Sequence, residues 1–278
     1  MLKSKSSASQ NTPFSPDAEL QHDLSDALAQ GELRLVYQPL IRLSSGKTIG
    51  YEALLRWDHP QFGLIMPTRF VEAAEASGLI VPVGAWVMQA ACLEAACWDK
   101  RLIVSVNVSA VQISAPGFVD MVCAALTESG LSAARLEIEV TETALLDDEN
   151  VARDVLQTLR AMGIRIALDD FGMGHASFAY LLAFPLDKIK IDRSFIADIA
   201  WRPESRTIVE AVAGMARKLG IEVLAEGIEE VDQLVIAKLA GCELGQGLLL
   251  GEPRPAKDHY RLRPVKPPAP YRKLAVAA

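Results

Sequence analysis

The chain has 278 residues, half of them hydrophobic, with 28 Lys and Arg against 35 Asp and Glu, a formal net charge of −7. That length suits one large domain or two small ones with a sizeable core, and the acidic balance excludes the electrostatic footprint of a duplex DNA or RNA binder while leaving room for a small anion held by local cations or metals. Four cysteines without a CxxC pair and four dispersed histidines exclude the usual zinc site, and no apolar run of about 18 residues lacks charge, which excludes a membrane-spanning helix and makes the cytoplasm the default location.

The first 18 residues are polar and Ser-rich with no apolar core, so they read as a linker or an expression remnant rather than a signal peptide. "DAELQHDLSDALAQGEL" then predicts a short amphipathic helix ending near Gly31. Beyond it, β-prone runs alternate with helical ones. Strands are expected at 33–41, 48–57, 102–109, 135–142, 165–170, 188–194, 222–228 and 242–250. Helical patterns such as 151–163 and 207–220 lie between them and stop at Gly, as helix C-termini do. The first two strands are separated only by "SSGK", which predicts a hairpin. Alternation of this kind implies a largely parallel sheet, and eight strands in this length match a (β/α)8 barrel; a doubly wound open sheet is the alternative. The domain is expected to span 19–262, with a C-terminal tail over 263–278. The cysteines read as small buried apolar side chains in a reducing compartment.

Nearly every expected strand carries a polar residue late in its run. They are Glu52 and Arg56, Asn107, Glu139 and Glu142, Asp169 and Asp170, Lys190 and Asp192, Glu226, and Gln246. In a (β/α)8 barrel those positions meet at one mouth. Strand alternation puts Asn107 on the face of Ser105, Glu139 on that of Glu137, and Lys190 on that of Lys188. Buried carboxylates need cations or hydrogen bonds, yet Arg56 and Lys190 are the short list of cations here. The remaining acid surplus is what Mg²⁺ or Mn²⁺ would neutralise. The adjacent Asp169 and Asp170 could each serve a different ion of a pair about 3.5–4 Å apart.

"YEALLRWDHPQFGLIMPTRFVEAAEASGLI" (51–80) resembles the signature of EAL domains, the cyclic di-GMP phosphodiesterases. The similarity continues in family order through "SVNVSAVQ", "LEIEVTETALL", "LDDFGMGHASFAYLLAFPLDKIKIDRSFI", "VLAEGIEE" and "GQGLLLGEP". The resemblance implies a TIM-type barrel with one antiparallel strand, which agrees with the hairpin. It implies hydrolysis of cyclic di-GMP to linear pGpG with two Mg²⁺ or Mn²⁺ ions. By position, Glu52, Asn107, Glu139 and Asp169 match the family's metal ligands. Asp170 matches the carboxylate of the second ion, with Asp169 bridging. Lys190 matches the lysine near the attacking water, and Glu226 the glutamate proposed either as general base or as support of the second ion. Gln246 matches a polar contact in the site and Arg56 the arginine on substrate phosphate. Glu142, with Thr141, matches the residue that steadies the loop after the fifth strand. A homodimer and fusion to a sensory or GGDEF domain are further implications.

This chain departs from the family's DDFGTGYSS loop at Met173, His175 and Ala176, and it lacks the aromatic residues common after Gln246. The loop change bears on dimer-linked regulation more than on chemistry. His175 reads as a polar residue in a tyrosine's place, with a pH-sensitive contact as the alternative. Two other functions stay open: a receptor that holds cyclic di-GMP without cutting it, and an unrelated Mg²⁺-dependent barrel enzyme acting on an enolate-type substrate.

Overall fold

A computed structural model describes residues 16–146, 148–172 and 180–259. In chain order the elements are α1 (Pro16–Gln30), β1 (Leu33–Arg42), β2 (Lys47–His59), β3 (Gly63–Ile65), α2 (Val71–Ser77), α3 (Ile80–Ala96), β4 (Ile103–Asn107), α4 (Ala110–Ile113), α5 (Phe118–Ser129), β5 (Leu136–Thr141), α6 (Glu142–Leu146), α7 (Glu149–Ala161), β6 (Arg165–Phe171), α8 (Tyr180–Ala183), β7 (Lys188–Ile191), α9 (Arg193–Ala197), α10 (Pro203–Leu219), β8 (Glu222–Ala225), α11 (Val231–Ala240) and β9 (Leu244–Gly245).

The sheet order is β1-β9-β8-β7-β6-β5-β4-β2, closed by β1 pairing with β2, with β3 added outside β2. The ring is therefore an eight-stranded barrel, which rules out the doubly wound alternative. β1 runs antiparallel to both β2 and β9, and every other pair in the ring is parallel. The antiparallel strand follows from the short "SSGK" turn: a parallel neighbour would need a crossover of a dozen residues or more.

Outward strand residues such as Val104, Ile138, Ile166, Ile189 and Val223 are fully buried beneath the helices. The interior is divided. On the β1, β8 and β9 side, Leu40, Leu224 and Leu244 form an apolar cluster. On the β4 to β7 side, Ser105, Glu137, Glu139, Lys188 and Lys190 are buried instead. Barrel interiors are ordinarily filled by branched apolar side chains, so this half is a departure that needs explanation.

Five expected strands, β4, β5, β7, β8 and β9, are shorter than their apolar runs. β7 stops at Ile191 because Asp192 accepts from the Ser194 amide at 2.9 Å and starts α9. Glu142 leaves β5 and opens α6. β9 holds only two residues: a Cβ at Gly247 would lie 2.2 Å from the backbone N and O of Ile228, so the chain turns onto the β8 loop there. β3 was not expected, since "GLI" is too short for a periodicity signal. Met173, His175, Ala176 and the tail from 263 lie outside the described residues. Cys92, Cys97, Cys123 and Cys242 are all free, and Cys92 and Cys242 are buried. No helix among the described residues is long and apolar enough to cross a membrane.

Candidate active site at the barrel mouth

The parallel strands deliver their polar ends to one place. Lys190, on β7, points its ammonium into a group of four carboxylates. Its Nζ lies 2.6 Å from Glu139 Oε2, 2.8 Å from Glu226 Oε1, 3.1 Å from Asp169 Oδ1 and 3.5 Å from Glu52 Oε2. Asn107 Nδ2 donates to Glu52 Oε1 at 2.6 Å, and Gln246 Nε2 donates to Glu52 Oε2 at 2.7 Å. The structure thus brings Glu52, Asn107, Glu139, Asp169, Lys190, Glu226 and Gln246 together.

Asp169 and Asp170 would face opposite sides of a regular strand. They converge because Asp170 adopts a left-handed backbone, φ 52°, the only non-glycine residue with positive φ among those described. The β6–β7 register breaks between Leu168 and Phe171 at the same point. The turn falls on Asp170 itself, and its amide donates to Asp169 Oδ1 at 3.0 Å. One carboxylate oxygen each from Asp169, Asp170 and Glu226 then falls within 4.8 Å of the others.

The electrostatics follow from this crowding. Burial, then Asp169 and Glu52, push Glu226 up to about 8 against the pull of Lys190. Burial and the nearby Glu52 and Asp169 drive Glu139 well above the usual carboxylate range. Burial and Asp169 also raise Asp170. Glu52 goes the other way: its burial is outweighed by Lys190 and by hydrogen bonds from Gln246 and Asn107. Burial would lower Lys190, but its four carboxylates hold it well above the usual range. Four acids therefore share one ammonium, with Asp170 beside them. Glu139 Oε1 and Gln246 Oε1 are buried without a hydrogen-bond partner among the described residues. An all-oxygen donor set with excess negative charge and free acceptors fits a hard divalent cation such as Mg²⁺ or Mn²⁺.

The other expected residues have separate places. Arg56 is two pleats beyond Glu52 on the same face of β2, and its Nη1 donates to Leu55 O at 2.8 Å. No carboxylate among the described residues pairs with it, so Lys190 alone of the two expected cations meets the acids. Buried Glu142 accepts from Gly172 N at 2.8 Å, tying the start of α6 to the loop after β6. Thr141 Oγ1 accepts from Ala144 N at 3.3 Å and caps the same turn.

Sequence reasoning missed Gln38. It pairs with Glu52 across the hairpin, accepts from Gln246 Nε2 at 3.0 Å and donates to Gly251 O at 3.1 Å. Counting register back from "SSGK" could have found it. It also left Asp192 without a role, although this buried carboxylate adds to the charge felt by Asp170. Beside the mouth, an apolar cleft of about 430 Å³ runs from Asn107 past Leu54, Pro67, Val71 and Val83. No linear motif announced it, because its walls come from β2, α2, α3, β4, α4, β5 and α6.

Comparison with known proteins agrees with this geometry. The EAL domain family matches residues 21–253. A bifunctional diguanylate cyclase/cyclic di-GMP phosphodiesterase, MucR of Pseudomonas aeruginosa, is 40% identical over 255 residues, covering 90% of this chain and 37% of MucR. The cyclic di-GMP phosphodiesterase NbdA of the same organism is 40% identical over 243 residues, 86% of this chain and 31% of NbdA. The chain thus spans about a third of the length of these curated relatives. The solved PaMucR phosphodiesterase in complex with c-di-GMP superposes with a TM-score of 0.83 at 41% identity, covering 86% of this chain and 99% of that one. With its barrel, its polar mouth and this match over most of its length, the chain belongs to the EAL domain family, the family of the cyclic di-GMP phosphodiesterases.

Proposed function

We propose that this domain hydrolyses cyclic di-GMP to linear pGpG using two Mg²⁺ or Mn²⁺ ions. The observation that carries this reading is the mouth itself, where four carboxylates converge on one ammonium, Asp170 stands beside them, and buried acceptor oxygens are left over. In this reading Glu52, Asn107, Glu139 and Asp169 would hold one ion, and Asp169 with Asp170 would hold a second. Bound divalent cations supply charge neutralisation at the scissile phosphate and a water of lowered pKa.

The chain's own residues do the rest. Lys190 and Glu226 are 2.8 Å apart, an ammonium beside a carboxylate, and together frame the position of the attacking water. The ammonium stabilises charge growing on the phosphate oxygens. Glu226, at about 8 in the metal-free protein, either takes the water's proton or orders the second ion. Water adds to phosphorus in line, the bond to the ribose 3′ oxygen breaks, and that oxygen takes a proton. One ring-opening hydrolysis leaves a 5′-phosphate and a 3′-hydroxyl, which is pGpG. Arg56, which pairs with no carboxylate among the described residues, is available to a substrate phosphate. Gln246, held by Gln38 and Glu52, offers its free carbonyl at the same mouth. The cleft beside Asn107 has the apolar lining and size for a nucleobase. Thr141 and Glu142 hold the loop that follows Asp170.

The roughly threefold length of the relatives supports reading this chain as a catalytic module that works joined to other domains. The test is product analysis after incubation with cyclic di-GMP, with Mg²⁺ and with EDTA. A receptor that only holds the nucleotide would return it intact in both.

A further inference from the structure

The ionic half of the barrel interior does not end at the mouth. One pleat below Glu139 and Lys190, on the same strands, Glu137 and Lys188 repeat the pair. Both are completely buried, and Lys188 Nζ hydrogen-bonds Glu137 Oε1. Ser105 Oγ donates to the same oxygen at 2.7 Å, and Arg165 Nε donates to Oε2 at 3.2 Å. Arg165 in turn pairs with Glu222, which Arg42 meets at 3.1 Å. β5 and β7 are not neighbours; β6 runs between them. The inward residue of β6 in register with both Glu139 and Lys188 is Ala167, small enough for lysine stems from β7 to pass over it.

This lower pair is no ordinary stabiliser. Two charges taken wholly out of water recover their desolvation cost only with full hydrogen bonding, and apolar replacements of similar volume often do as well. The other half of the same barrel is filled by leucines without difficulty. A reason for ions at this level is their relation to the level above. Glu137 and Glu139 are two residues apart on one strand, roughly 6.6 Å along it. The four-carbon stem of Lys190 can sweep that distance. Were Glu137 Oε1 unfilled, it would compete for the one ammonium that the mouth contains.

We infer that Lys188 is a positioning residue: by occupying Glu137 it keeps the Lys190 ammonium at the barrel mouth, among Glu139, Asp169 and Glu226. The inference rests on the proposed function for its consequence in catalysis, though not for its geometry. With Glu137 filled from below, Lys190 can only turn upward, where the scissile phosphate and the water would lie.

The test is a set of three variants beside the wild type: Lys188→Met, Glu137→Gln and the double Glu137→Gln/Lys188→Met. Crystal structures of the metal-free proteins come first. In Lys188→Met, Lys190 Nζ should be found on Glu137; in the double variant, which no longer has the competing carboxylate, it should return to Glu139 and Glu226. If Lys190 keeps its upper partners in Lys188→Met, the inference is overturned, whatever the protein turns out to cut. Should Lys188→Met fail to fold, Glu137→Gln decides: Lys188 should rise to Glu139, and its staying level with Ser105 would overturn the inference.

Calorimetric Mn²⁺ titration and cyclic di-GMP turnover form the second arm. Withdrawing an ammonium from the carboxylates should tighten Mn²⁺ binding in Lys188→Met several-fold, while kcat at saturating Mn²⁺ falls at least tenfold with KM unchanged. The double variant should recover most of both. A merely structural defect would weaken metal binding and rate together, and that joint loss would overturn the positioning role. Wild-type turnover, run alongside, reports on the proposed function separately from the crystallographic arm.

Discussion

Asp169 and Asp170 do different jobs because the backbone treats them differently. Asp169 makes the last regular pair of β6 with β5 and contacts Lys190, whereas Asp170 sits at φ 52° and brings its carboxylate beside Asp169 and Glu226. In the two-ion reading, Asp169→Asn should abolish turnover at every Mg²⁺ or Mn²⁺ concentration. Asp170→Asn should lose activity at low metal and regain part of it at high Mn²⁺, with substrate binding still measurable. Metal-rate titrations of both variants check this, and identical metal dependence would remove the bridging role. Asp170 also stores strain. A non-glycine left-handed residue costs about 1–2 kcal/mol, and like charges crowd this one further. Asp170→Gly should therefore raise the melting temperature in EDTA, by about 1 kcal/mol in stability after glycine's extra unfolded-state entropy, while losing activity. A lower melting temperature would contradict the strain argument.

Element by element, the positions of the strands were legible and their ends were not. β-prone apolar runs alternating with helical ones located all eight barrel strands, since burial of the outward face is what those runs encode. The ends depend on neighbours in space. Nothing in "CELGQGLLL" says that β9 must stop at Gly245; the cause is the backbone of Ile228 against Gly247. Likewise the strand-end acids were visible one at a time, but the reach of Lys190 over β6 to Glu139 was not, because it depends on Ala167 being small and in register. Two predictions belong here. Gly247→Ala puts a Cβ where backbone already stands, so it should cost about 2–4 kcal/mol in denaturant unfolding and shift Gln246 enough to slow turnover; a cost under about 0.5 kcal/mol would mean the loop yields freely. Glu142→Ala removes the acceptor that Gly172 N uses. It should lower kcat more than stability, since what it frees is the loop behind Asp170. The ratio of the two losses, read by kinetics and thermal melts, decides.

Taken as a whole, the fold is a mostly apolar barrel that gathers its charge in one interior half and exposes it at one end. Such a site couples metal, proton and stability. In the metal-free protein the Glu226 pKa lies near 8, above its ordinary carboxylate value, so the folded state holds that proton more tightly than the unfolded chain does. That contribution is fully present at about pH 4.5 and below and is lost as pH rises through about 8. Metal binding must expel the same proton. The rise in melting temperature on adding saturating Mg²⁺ should therefore grow from pH 5.5 to 8.5, and a gap independent of pH would contradict a metal held by these carboxylates. Fold and family were readable from order and spacing of motifs; the divided interior and the shared ammonium emerge only when the barrel closes. The central claim, a metal-dependent phosphodiesterase, is tested most directly by chromatographic analysis of cyclic di-GMP incubated with the pure domain in Mg²⁺ and in EDTA. The account predicts stoichiometric pGpG with Mg²⁺ and intact cyclic dinucleotide with EDTA; intact nucleotide in both, or equal pGpG in both, would contradict it.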